Sequence, residues 1–194
     1  MTTLGRYPRN VADSRSLDFP YNALPGVDQD AGVTSNIPVW AAGSDLAATG
    51  TGVCIAVPVF LRAGDIVTSL TFVSGSQAAV NPTHWFHALY DPDGAKLRQS
   101  ADQLTAAWAA SAAKKLAMAT TYTVTASGWY YASTSMTADT VVTLAGTAPL
   151  VGTATAHTGS LALGVTHGTA VAGTAPATIA TPSTVAKCPL VIVS

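Results

Sequence analysis

The chain has 194 residues, 48% of them hydrophobic and 10% charged, with a formal net charge of −1. That is room for one ordinary domain and a tail. The hydrophobic share excludes a wholly disordered chain, and the missing basic surplus argues against nucleic acid as a partner.

Residues 1–36 form the first section. It carries Arg6, Arg9 and Arg15, then Asp13, Asp18, Asp28 and Asp30, and it is punctuated by Pro8, Pro20 and Pro25. Neither a helical nor an alternating period runs through it, and the aromatics Tyr7, Phe19 and Tyr21 are spaced singly. Such a stretch cannot bury enough surface by itself to offset its ordering entropy. Its prolines and aromatics suit an extended N-terminal arm that orders on a neighbour, because they are anchors of low entropy cost. The opening MTTLGRYPRN has no apolar core of the kind a secretory signal needs.

Residues 37–194 read as one β-sandwich domain. In GVCIAVPVFL, Val53, Ile55, Val57 and Val59 alternate with smaller partners, and Pro58 points to an edge or bulge position. RAGD at 62–65 is a turn. The run that follows places Ile66, Leu70 and Phe72 on one face. HWFHALY at 84–90 is a strand with Trp85, His87 and Leu89 on one side and His84, Phe86, Ala88 and Tyr90 on the other. DPDG at 91–94 is a turn signal, and GAKLRQS returns as the hairpin partner. The Ala-rich stretch 101–113 around Trp108 predicts a short helical turn. Alternation resumes with Leu116, Met118, Tyr122 and Val124. SGWYYASTSM and DTVVTLAG are two further strands, LALGV at 161–165 is ambiguous, and CPLVIVS closes the chain. A β-branched terminus of that kind is expected inside a sheet, since it would otherwise be an exposed apolar edge. About eight short strands with turns between them predict an all-β antiparallel sandwich or jelly roll.

The stretch from Val53 to Leu144 resembles jelly-roll-like virion structural proteins of actinobacterial phages, of the minor tail, head-fibre or capsid accessory type. The likeness is carried by the strand after RAGD ending in FVSG, by HWFHALYDPDG, and by the succession SADQ, Trp108, KLA, YTV and GWYY. The closing Pro-rich loop and LVIVS are also similar. The resemblance implies fold and context and brings no catalytic residue with it.

Chemistry-bearing residues are sparse. The chain contains no glutamate, so any acid–base carboxylate is an aspartate. Asp65, Asp91, Asp93 and Asp102 are each accounted for by turns, and a hairpin explains DPDG without a calcium ion. His84 and His87 stand three apart on a strand and face opposite ways, while His157 and His167 fall in loop-like sequence, so no zinc set converges. Nucleophile-elbow and phosphate-loop motifs are missing. No cofactor, no metal and no enzymatic activity are expected. Cys54 and Cys188 read as buried thiols, with a disulfide left open. No apolar run reaches the roughly 18 residues that span a bilayer, so no membrane partner is expected. Trp85, Phe86, Tyr90, Trp129, Tyr130 and Tyr131 supply either core or a sugar platform: with Trp85 and Trp129 inward, Phe86 and Tyr130 face out, or the reverse.

The expected function is that of a non-enzymatic virion protein decorating or reinforcing the capsid exterior, grouped as homo-oligomers such as trimers. Its expected partners are the major capsid protein or other virion subunits. Arg6, Arg9 and Arg15 are the expected polar anchors, and Tyr7, Phe19 and Tyr21 the apolar ones. The alternative is a minor tail or fibre protein whose sandwich binds host glycan.

Overall fold

A computed structural model describes residues 34–148 and 163–194. Among these residues there is no α-helix, only a 3-10 turn at Val39–Ala41. The chain forms an antiparallel β-sandwich, as the alternation predicts. One sheet orders β1 (Thr34–Ser35), β13 (Val191–Val193), β4 (Ile66–Val73) and β7 (Ala113–Thr123). The facing sheet orders β11 (Ser183–Thr184), β10 (Val165–His167), β3 (Val53–Leu61), β8 (Gly128–Thr140), β5 (Val80–Tyr90) and β6 (Lys96–Gln99). A small third sheet orders β12 (Cys188–Pro189), β9 (Leu144–Thr147) and β2 (Ser44–Leu46).

The main core lies between the two larger sheets. Ile55, Val57, Val59 and Leu61 of β3 meet Leu70 and Phe72 of β4, Leu116 and Met118 of β7, and Val191 and Val193 of β13. The terminal strand is therefore interior, paired with β1 on one side and β4 on the other, as its β-branched sequence requires. Pro58 stands beyond Cys54–Ala56, the only stretch of β3 that β10 covers, so it sits at a local edge.

Three expectations are corrected. The first concerns Ile66, which does not share a face with Leu70 and Phe72. The β4–β7 register shifts between Val67 and Ser69, so Val67 turns inward and Ile66 is left exposed. The extra residues on β7 let Met118 bridge to Ser100 and link the two sheets. Second, residues 101–112 form no helix. They are an irregular loop anchored by Trp108, which is fully buried against Trp85 with ring centroids 5.0 Å apart. Backbone bonds to carbonyls and to Ser74 satisfy this loop where helical bonds would otherwise do so. Third, DTVVTLAG is not one strand. Its first two residues end β8, and Leu144 begins β9 in the third sheet.

The turns behave as the sequence predicts. In RAGD, the Arg62 N–H donates to the Asp65 carboxylate at 2.8 Å. In DPDG, one carboxylate oxygen of Asp91 accepts from the N–H groups of Asp93 and Ala95, and Gly94 takes φ +83°.

Candidate interaction surface

The six anchors expected in the leader, Arg6, Tyr7, Arg9, Arg15, Phe19 and Tyr21, lie outside the described residues. The last three residues of the 1–36 section are described, and they belong to the sandwich. Thr34 and Ser35 pair with Val193 and Ile192. Asn36 bonds to the last two strands with both side-chain atoms: Nδ2 donates to Pro189 O of β12 at 2.8 Å, and Oδ1 accepts from the Val191 N–H of β13 at 2.9 Å. The leader thus joins the body beside the C-terminal strand. Immediately after it, Trp40 stands 79% exposed on the 3-10 turn.

The aromatic residues divide in a way that alternation alone does not predict. Trp85 and Tyr130 point into the main core. Phe86 and Tyr90 face the other way and are buried too, in a second cluster with Cys54, Ala88, Val171 and Ala175. That cluster exists because residues 168–182 cross the outer face of the six-stranded sheet. This segment is held by Val171 N–H to Gly52 O, Thr137 Oγ1 to Val171 O, Gln99 to Gly173 and Ala175, and Tyr90 Oη to Pro176 O. Of the expected platform residues, Trp129 is left exposed and Tyr131 half-buried. Phe60, directly opposite Trp129 in the β3–β8 register, joins it with ring centroids 5.4 Å apart and an edge-to-face angle of 73°. Sequence reading missed Phe60. Its signal was its phase, since it falls on the non-core parity of β3, with Cys54 and Ala56.

The buried polar residues are structural in their bonding. His84 and His87 do face opposite sides, as predicted. His84 Nδ1 lies 2.6 Å from Asp102 Oδ2, a partnership that a turn assignment for Asp102 overlooked. His87 is wholly buried among Phe72, Trp85 and Trp108, with Nδ1 3.0 Å from Thr134 Oγ1 and Nε2 3.2 Å from Lys114 O. The Lys114 carbonyl belongs to the opposite sheet, so this imidazole stitches the two sheets together. Burial pulls its pKa down to about 4. His167, expected in a loop, is instead a buried residue of β10, opposite Cys54, and burial pulls its pKa to about 4 as well. His157 lies outside the described residues. Cys54 and Cys188 are buried free thiols, each pushed up to about 11 by burial. Among the described residues, no group of three or more His, Cys, Asp or Glu side chains is placed to hold a metal ion.

Comparison of the chain with protein-family models, curated proteins and solved structures returns no match.

Proposed function

We propose that this chain is a non-enzymatic virion structural protein that decorates or reinforces the capsid exterior, held there by its leader. The observation that carries the reading is the tether at Thr34–Asn36. A leader pinned by a strand pair and two side-chain bonds transmits its grip directly to the sandwich. Residues 1–33 hold the arginines and aromatics suited to anchoring, and an arm that orders on binding can span neighbouring subunits. The resemblance from Val53 to Leu144 supports the same context. The partners are the major capsid protein or other virion subunits, with copies of this chain grouped as symmetric oligomers such as trimers.

The test is a deletion that stops at residue 33, because removing Thr34–Asn36 would damage the sheet. Purified 34–194 and the full chain are cosedimented with particles stripped of this protein. Anchoring by the leader predicts a folded sandwich that no longer pellets. Undiminished pelleting of 34–194 contradicts it.

A second reading, a minor tail or fibre protein whose sandwich binds host glycan, is favoured by one observation: the solvent-facing Phe60–Trp129 pair.

A further inference from the structure

The outer face of the six-stranded sheet changes character along its strands. Toward Cys54 it is roofed by residues 168–182. Toward the other end, Phe60 and Trp129 are 42% and 44% exposed. Single exposed apolar side chains are ordinary on a protein surface. Two large rings in contact across adjacent strands are less so, because β3 and β8 could place Thr or Ser there, as β8 does further along at Ser133 and Ser135.

The pair is bordered by polar turns. Phe60 leads into RAGD, whose Ala63 N–H donates to Ser127 Oγ in the turn that starts β8. On the other flank Pro92 lies against Gly128: a Cβ built on that glycine would stand 3.6 Å from its ring. This brings the DPDG turn, with exposed Asp93, up to Gly128, the residue that precedes Trp129. The turn is closed by the Asp91 carboxylate, which leaves that of Asp93 available to accept hydrogen bonds.

We infer that the corner between Phe60 and Trp129 is a saccharide-binding site that takes one pyranose ring of a neutral glycan. Rings meeting at 73° make an L-shaped notch: the C–H face of a sugar lies on one ring while the other walls its edge. The Asp93 carboxylate and the polar turns then meet the hydroxyls. A protein partner would need roughly 800 Å² of this surface. Among the described residues, the other large exposed apolar side chains are scattered: Val80 is at the opposite end of β5, Ile66 is on the other sheet, Val39 and Trp40 are on the turn after β1, Leu104 is in the 101–112 loop, and Leu163 stands singly ahead of β10. The inference deepens the glycan reading above and rests on it, and it makes no use of the leader.

The experiment titrates the purified full chain with methyl glycosides and tetrasaccharides of glucose, galactose, mannose and N-acetylglucosamine. Binding is read by calorimetry and tryptophan fluorescence. Saturable binding of at least one sugar is expected, weakened roughly tenfold or more by Trp129→Ala or Phe60→Ala, with Trp129→Phe retaining most of the affinity. Both side chains are partly exposed, so the variants should stay folded, with thermal melts lowered by only about a few degrees for the lost ring contact. Binding that is unaffected by both alanine variants overturns this site and leaves the glycan reading standing. No binding across the whole panel overturns both.

Discussion

Nδ1 of His84 lies 2.6 Å from Oδ2 of Asp102, closing a span of 18 residues between the middle of β5 and the loop that carries Trp108. The other carboxylate oxygen accepts from the backbone N–H groups of Trp85 and Leu104, each at 3.1 Å. Burial raises the Asp102 pKa, but the bonds from His84, Leu104 and Trp85 outweigh it, and the net shift is downward from 3.8. A carboxylate with a depressed folded pKa adds stability that is present above its unfolded value and lost as the pH falls through the folded one. Asp102→Asn is therefore expected to cost about 1–3 kcal/mol at neutral pH. In urea titrations the gap between parent and variant should close as the pH drops below 3.8.

The buried histidines act in the same direction but over a different range. Burial lowers both His87 and His167 from 6.5 to about 4. His167 Nδ1 has no hydrogen-bond partner, its Nε2 is 3.4 Å from Ser133 Oγ, and the titratable groups facing it are the neutral Cys54 and Tyr90. Between pH 6.5 and about 4 the unfolded chain takes up protons that the folded chain refuses, so stability falls with falling pH. Each histidine contributes up to about 1.4 kcal/mol per pH unit in that window. His167→Asn should roughly halve the slope of folding free energy against pH.

Trp108 replaces the helix that its Ala-rich surroundings suggested. Its ring packs on Trp85, and its Nε1–H donates to Ala112 O at 3.0 Å. Trp108→Ala should cost about 3–5 kcal/mol. It should also free the 101–112 backbone to exchange amide hydrogens well before the strands do. Equal protection in parent and variant would show that the loop holds itself.

The two thiols should be silent in the native state. With Cys54 fully buried and Cys188 3% exposed, a thiol reagent is expected to label neither until denaturant is added, and then both. Intact mass after denaturing alkylation should show two adducts, consistent with free cysteines.

Much of the fold is legible in the chain because one physical signal dominates it. Apolar residues at every second position mark β3, β5 and β8, and Asp91, Gly94 and Gly64 mark the turns between strands. Period-two reasoning assumes a half-buried strand, however, and β5 is buried on both faces because residues 168–182 roof it. The bulge in β4 is illegible for a related reason: a register slip changes which parity faces inward without altering composition. The His84–Asp102 bond depends on how a loop folds back over a strand, and spacing alone does not encode that. Of the candidate sites, Trp129 could be named from sequence. The outward phase of Phe60 on β3 was there to be read as well, but its pairing with Trp129 was not, because that required the β3–β8 register.

The central claim is that the sandwich is carried on a capsid by the segment preceding Thr34. A cryo-EM map of the particle, compared with one from particles lacking this protein, tests it most directly. The predicted difference density is a β-sandwich on the outer shell, with a ribbon running from β1 onto adjoining coat subunits. Difference density confined to the tail, or a sandwich docked through another face with no ribbon from β1, would contradict it.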